Sequence, residues 1–407
     1  MFHRIIHHPA LAKRDLRMLM ADAICYANGT GGEQVVFGLL VLQVSGTSWW
    51  VGVAFALYFA PLLIMGVPAG AIADWLPRRD LLRGIQIALA VNLICVGLLI
   101  GSGLVELWHI LTMTFISGCV RALYQPVRLS YAVDLVGPEN AAAGLAFVQI
   151  GNRVGQGVGA LVAGAVMYRW GADTAYGCLA LGHLIGFVLL GRLRTVGGVP
   201  RHFRTSLRRT FHEYASEMVN NRALLGLVLI GAGVNIFGFS FSTALPELAT
   251  GRLGGDAQDL GYLQAARAIG GAFGVGIFAL WSAHRNLPRL YIGIIFGFAV
   301  GLSGLAISPS FEAAITALLV IAAMAALTDV LSQAMMQLCV ADHLRGRAMG
   351  AWMFSVGVSP LGQLEMGGLA AALGVQTALL ANAAGLIMCG AAAMILFPRL
   401  LRKGKLA

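Results

Sequence analysis

A chain of 407 residues that is 58% hydrophobic and only 11% charged is more apolar than a soluble domain of that length tolerates. The formal net charge of +10 would suit a nucleic-acid binder, but the basic residues are dispersed among apolar stretches, which excludes that class. A helix needs about 20 mainly apolar residues to cross a bilayer, so the chain has room for roughly twelve crossings and little else.

In chain order, apolar runs fall at roughly 16–42, 49–73, 81–103, 107–131, 142–167 and 173–192. A second set follows at roughly 222–247, 259–281, 289–308, 311–336, 348–370 and 374–398. The first run begins near Leu16, is too long for a signal-peptide core and has no small-residue cleavage site, so it is expected to remain in the mature protein. Cys25, Cys95, Cys119, Cys178, Cys339 and Cys389 all lie inside apolar runs, without disulfide or zinc spacing, and read as packing residues.

With the N-terminus inside, 22 of the 28 Lys and Arg fall on the cytoplasmic side, only Arg169 and Arg252 fall outside, and four arginines lie within runs. This bias predicts a multi-pass protein of the bacterial inner membrane with both termini cytoplasmic. The expected organisation is all-α: twelve transmembrane helices in two six-helix bundles, residues 1–192 and 222–407, joined by a cytoplasmic linker over 193–221 that carries Arg194, Arg201, Arg204, Arg208 and Arg209. An internal repeat supports the division. Gly70-Ala-Ile-Ala-Asp-Trp-Leu-Pro-Arg-Arg79 aligns with Gly276-Ile-Phe-Ala-Leu-Trp-Ser-Ala-His-Arg285 at an offset of 206 residues.

The stretch Gly70 to Arg79 resembles the loop signature of the major facilitator superfamily, Gly-x-x-x-Asp-Arg-x-Gly-Arg-Arg, with Trp75 and Pro77 as departures. Arg121-Ala-Leu-Tyr-Gln-Pro-Val-Arg128, Asp134-Leu-Val-Gly-Pro-Glu139 and Leu344-Arg-Gly-Arg-Ala-Met349 are similar to the enterobactin-exporter-like and macrolide-efflux-like branch. Gly151-Asn-Arg-Val-Gly-Gln-Gly-Val-Gly159 resembles the antiporter motif of exporters, with Gln156 where that motif has Pro. The resemblance implies the major facilitator fold, export of a small drug- or siderophore-like molecule, and a conformational latch at Gly70, Asp74, Arg78 and Arg79.

Ionisable groups inside runs are costly in lipid, by about 2.5–3.5 kcal/mol each, and so face a partner or a wet cavity. Asp22, Glu33, Arg121, Arg128, Arg153, Arg267, Asp329 and Glu365 form that set. At 1.5 Å per residue, Arg121 lies near mid-membrane, Asp22 about 6 Å nearer the cytoplasm and Glu33 about 10 Å nearer the outside. A carboxylate beside an arginine keeps its charge, whereas one left in apolar surroundings takes a proton, so Arg121 with Asp22 or Glu33 suits proton coupling. A static ion pair between the first and fourth runs is the alternative. Arg267 and Glu365 fall at similar depths and suit either a substrate contact or a structural pair, while Asp329 is expected to dock with the loop around Arg345 and Arg347.

Asn28-Gly-Thr-Gly-Gly32 is a weak point in the first run, suited to bending or to close packing through small residues. Tyr124, Arg153, Asn235, Phe237, Phe241, Arg267, Trp352 and Glu365 are the candidates for the substrate cavity. His3, His7 and His8 lack Cys or acidic companions and read as a tail without a metal. No GxxxxGK[ST] segment and no nucleophile constellation occurs, so no cofactor and no enzymatic reaction are expected. The expected partners are a small organic substrate, protons and the lipid bilayer, with the protein working as a monomer. A lipid or lysolipid mover, a uniporter, and a non-transporting component of a biosynthetic or sensory complex are the alternatives.

Overall fold

The computed structural model describes residues 9–198, 221–281, 286–340 and 345–396, without the side chains of 65–75 and of a few helix-end positions. His3, His7, His8, Arg285 and the linker arginines from Arg201 to Arg209 lie outside the described residues, as do the side chains of Asp74, Arg345 and Arg347.

Every regular element among the described residues is helical. After a single turn at Pro9–Ala12 come α1 (Arg14–Ser45), α2 (Ser48–Trp75), α3 (Arg78–Gly101), α4 (Leu107–Val136), α5 (Ala141–Trp170) and α6 (Ala172–Gly191). The seventh run is α7 (Arg222–Gly233), a π-helical turn Val234–Gly238, α8 (Phe241–Glu247) and a second π-helical turn Leu248–Arg252. Then follow α9 (Ala257–Trp281), α10 (Leu287–Ile307), α11 (Phe311–Leu338), α12 (Arg345–Gly357), α13 (Ser359–Leu373) and α14 (Val375–Leu396).

Helix ends follow local chemistry. Asn221 accepts from the backbone N–H of Ala223 and Leu224 at 3.1 and 3.0 Å to start α7, and Ser310 accepts from Ala313 to start α11. At the end of α4 the chain turns at Gly137 with φ +84°, a region closed to most side chains, and Lys13 donates to the Val136 carbonyl at 2.9 Å. The eleventh run, expected as one helix, is divided at Val358 into α12 and α13. Pro360 in the first turn of α13 has no N–H to donate, so the helical ladder cannot run on unbroken from α12.

By length and apolar composition, six helical stretches among the described residues are able to cross a membrane: Arg78–Gly101, Ala172–Gly191, Arg222–Arg252, Leu287–Ile307, Phe311–Leu338 and Val375–Ile395. The other apolar runs are helical too, but α1, α4, α5 and α9 carry the Asp, Glu, Arg, Asn and Gln residues that dilute their hydropathy.

The burial pattern is that of a protein whose outside is more apolar than its inside. On α3 the exposed face is Ile87, Val91, Ile94 and Leu98, at helical spacing, while Gln86 and Asn92 are buried. On α6, Leu181, Ile185 and Val188 are exposed and His183 is fully buried. An apolar outer face of this kind suits lipid, and the polar side chains turned inward must bond one another.

The described chain divides into two compact units. One comprises Met1–Leu40, Ile64–Arg204 and Asp256–Ala265, the other Val41–Leu63, Thr205–Gly255 and Ala266–Ala407. In the first unit α3 packs along α6, and Leu16, Leu19, Leu82, Leu89, Tyr124, Val127 and Tyr131 meet in its core. In the second, α10 packs along both α11 and α14, and Gly52 of α2 meets Gly367 of α13 backbone to backbone.

Asn28 to Gly32 does not interrupt α1, which runs unbroken from Arg14 to Ser45. Its glycines instead admit α5. A Cβ on Gly31 would lie 2.6 Å from the Gln156 carbonyl oxygen, and one on Gly155 or Gly159 would strike the backbone of Ile24 or Asn28. The antiporter-like stretch of α5 is therefore a close-packing surface for α1. Gly159→Ala is expected to destabilise the fold by about 1–3 kcal/mol through overpacking. Gly84→Ala, on an exposed part of α3 with open space around it, should gain roughly 0.5–1 kcal/mol of helix propensity. Thermal melts of the two purified variants, read against the parent protein, check the contrast.

Candidate functional site

Asp22 lies two turns into α1 and is fully buried. An ionised carboxylate there must be satisfied, since an unpaired buried charge costs far more than a neutral polar group. Gln86 of α3 donates to Asp22 Oδ1 at 2.5 Å, and the Tyr124 hydroxyl of α4 donates to Oδ2 at 2.9 Å. The charge of Arg128, one turn beyond Tyr124, also reaches Asp22.

The network continues into α6. Because the Gln86 amide nitrogen serves Asp22, its Oε1 accepts from His183 Nδ1 at 2.6 Å. That geometry assigns the neutral Nδ1–H tautomer and leaves a lone pair on His183 Nε2, which is buried without a hydrogen-bond partner. The ring lies where a Cβ on Gly29 would have to go.

Arg128 is fully buried. Its Nη2 donates to Gln125 at 2.7 Å and to Gln149 of α5 at 2.6 Å, and its guanidinium sits 5.3 Å from the centre of the Tyr124 ring. Its Nε and Nη1 have no hydrogen-bond partner. Tyr26 of α1 stacks on Tyr124 with ring centres 3.4 Å apart and planes 8° from parallel, and it is within hydrogen-bond reach of Arg121. Pro126, between the two arginines, removes one backbone hydrogen bond from α4.

Glu33 is buried eleven residues further along α1 and accepts from Ser117 of α4 at 2.6 Å. Ser117 Oγ in turn accepts from Asn92 of α3 at 2.9 Å. Asp22, Glu33, Arg121 and Tyr124 thus belong to one polar seam among α1, α3, α4 and α6. Gln86, Asn92, Ser117 and His183 complete that seam. Their signal in the sequence is a polar but uncharged side chain within an apolar run, which stands out less than an acid or an arginine.

Arg78 and Arg79 are held within the first unit. Arg78 pairs with Asp134 at the end of α4 at 2.6 Å, and Arg79 donates to the Leu193 carbonyl and, through its backbone N–H, to that of Val196. Thr195 is bound by Asp15 and by the Tyr131 hydroxyl, so α1, α3 and α4 all grip the start of the segment after α6. Gly70 and Asp74 lie on the last two turns of α2.

In the second unit the cavity candidates separate. Phe241 is core, edge-on to Phe298, and Phe237 packs against Gly385. Arg267 donates to Ser242 at 2.7 Å, and Glu365 accepts from Asn382 at 3.2 Å. Asn235 and Trp352 do share a small cavity, together with Gly231, Val234, Phe239, Tyr291, Thr328, Asp329 and Ser332. Arg153 is half-buried on α5 in the first unit.

A match to the family described as transmembrane secretion effector, of the major facilitator superfamily, spans residues 9–405. The chain belongs to that family. It is therefore a membrane transporter, not an enzyme. It is 24% identical to the multidrug efflux pump Tap of Mycolicibacterium fortuitum, over 95% of this chain and 96% of that one. It is 26% identical to the enterobactin exporter EntS of Salmonella choleraesuis, over 89% and 87% respectively. The staphyloferrin A transporter of Staphylococcus aureus is 22% identical, over 82% of this chain and 84% of its own. Among solved structures, a bacterial homologue of the human lysosomal transporter Spinster superposes with a TM-score of 0.74 at 16% identity, covering 98% of this chain and 99% of that one. A peptide transporter, POT, in complex with sulfate gives 0.76 at 13%, covering 97% and 96%. Both likenesses establish the fold of this transporter.

Arg128→Ala in this transporter would leave Gln125 and Gln149 without their donor and Asp22 without its neighbouring charge. Loss of one partner from a buried charged network costs about 3–5 kcal/mol. The yield of monodisperse folded protein and its melting temperature should both fall well below those of Arg169→Ala, an exposed control near the end of α5.

Proposed function

We propose that the protein exports a small amphipathic organic molecule, drug- or siderophore-like, in exchange for protons. Twelve crossings in two halves, residues 1–192 and 222–407, would alternate access to a central site through rocking of the halves about the 193–221 connection, in a bacterial inner membrane with both termini cytoplasmic. The names of the three relatives, a multidrug efflux pump, an enterobactin exporter and a staphyloferrin A transporter, support the direction and the solute class.

The observation that carries proton coupling is the bonding of Asp22. Both carboxylate oxygens accept from neutral donors, Gln86 and Tyr124. A proton on Asp22 would turn one oxygen into a donor. Tyr124 could answer by rotating its hydroxyl, but the Gln86 amide cannot turn its oxygen toward Asp22 without losing His183. A proton on Oδ2 is met by rotation of the Tyr124 hydroxyl alone, whereas one on Oδ1 would displace Gln86 and through it His183, which would link protonation at that oxygen to the packing of α1, α3 and α6. Arg121, in reach of Tyr26, stands between the surroundings of Asp22 and those of Glu33 and would favour the charged form of whichever carboxylate it approaches. Gly70, Asp74, Arg78 and Arg79 form the latch in this reading. Arg78 and Arg79 anchor it to α4 and to the segment after α6.

Uptake of siderophores, macrolides and cationic dyes into inverted vesicles under an imposed pH gradient tests the reading. Wild type should accumulate at least one class only with the gradient, and Asp22→Asn, Glu33→Gln and Arg121→Ala should each reduce gradient-driven uptake to the level of vesicles lacking the protein. Solute movement that ignores the gradient and all three substitutions would sink proton exchange and favour a uniporter or lipid mover.

A further inference from the structure

Asp22 offers two oxygens to a proton, and their neighbours differ in kind. Oδ2 meets the Tyr124 hydroxyl at 2.9 Å, a group able to donate to a carboxylate or to accept from a carboxylic acid. Oδ1 meets the Gln86 amide nitrogen at 2.5 Å, which can only donate. What keeps that nitrogen forward is the other end of the same amide, where Oε1 accepts from His183 Nδ1 at 2.6 Å.

Two glycines make room for this chain of bonds. Gly186, one turn beyond His183 on α6, leaves the gap that Gln86 crosses: a Cβ there would strike the Gln86 amide nitrogen and lie 3.0 Å from Asp22 Oδ1. Gly29, two turns beyond Asp22 on α1, admits the His183 ring in the same way. For a proton to settle on Oδ1, three groups would have to change together. Asp22 would become the donor, the Gln86 amide would turn over, and the ring hydrogen of His183 would leave Nδ1 for Nε2. That last change has no route, because His183 is fully buried and its Nε2 has no hydrogen-bond partner to deliver a hydrogen. Without it, the turned amide would set N–H against N–H and leave buried donors unsatisfied.

We propose that His183 is a positioning residue for proton exchange: by holding the Gln86 amide with its nitrogen toward Asp22, it confines the exchangeable proton to Oδ2, beside Tyr124. The confinement rests on the exchange reading given above; the orientation of His183 and Gln86 does not. The other groups acting on Asp22 and His183 are Tyr124, Arg128 and Arg121 of α4 and Cys25 and Tyr26 of α1, and among the described residues Gln86 hydrogen-bonds to none of these.

The first test is nitrogen NMR of the full-length protein in detergent at neutral pH, with isotopically labelled histidine. The His183 signals, among those of nine histidines, are identified by their absence from His183→Asn. The hydrogen should sit on Nδ1 with Nε2 bare. A hydrogen on Nε2 alone would mean that Gln86 turns its oxygen to Asp22, and would overturn the proposal. The second test is the pH profile of gradient-driven uptake in vesicles. His183→Leu frees the amide to accept from a proton on Oδ1, so the proton is held more tightly and the half-maximal proton concentration should fall about three- to tenfold, the worth of one neutral hydrogen bond. His183→Asn, whose amide presents an N–H where the Nδ1–H stood, should bring the profile back toward wild type. A role in packing alone would lower yield or melting temperature without moving the profile, so an unmoved profile in folded His183→Leu also overturns the proposal. If that variant does not fold, the ring hydrogen still decides. Wild type without gradient-driven uptake would sink the exchange reading and the confinement together, whereas the wrong tautomer would sink the proposal alone.

Discussion

The satisfaction of Asp22 is the constraint from which most of the first unit follows. A fully buried carboxylate in a helix that faces lipid must find donors on neighbouring helices, because no water is available on the apolar side. Gln86 and Tyr124 supply them, and their own needs recruit His183 and the stacking of Tyr26. One acid thereby sets the rotation of α3, α4 and α6 relative to α1. The same residues that make the seam costly to bury also make it specific, since a helix turned by one residue would leave a donor or acceptor unmatched.

Close packing makes the seam possible. Hydrogen bonds of this length require helix axes to approach closely, and the glycines of α1 and α5 remove the side chains that would prevent it. In a bilayer the apolar surfaces of α3 and α6 gain little by meeting each other instead of lipid. Van der Waals fit and interior hydrogen bonds therefore carry more of the specificity than they would in a water-soluble bundle. The Arg78–Asp134 pair and the grip on Thr195 extend this bonding to the end of the unit.

The second unit uses a different device. Its seventh run contains two π-helical turns, and the first carries Asn235 to the wall of a small cavity that Asp329 and Trp352 also line. The first unit buries an acid under neutral donors, while the second widens a helix beside a cavity of mixed polar and aromatic side chains.

The sequence by itself determined the solvent, the helical class, the positions of the apolar runs and the superfamily. These depend on hydropathy along the chain and on short motifs, both of which are local. It also singled out Asp22, Glu33, Arg121, Arg128 and Asp329, because an ionisable residue in an apolar run stands out without any knowledge of neighbours. Only the tertiary structure decided their company. Asp22 is held by Gln86 and Tyr124 with the charge of Arg128 nearby, Glu365 accepts from Asn382, and Asp329 lines a cavity with Asn235 and Trp352. The glycines at Asn28 to Gly32 suit a bend or a packing surface by sequence, and the backbone of α5 against them makes them a packing surface. Helical periodicity says which residues share a face, but the partner of that face is set by helix crossings between segments tens to hundreds of residues apart. No local pattern encodes that choice.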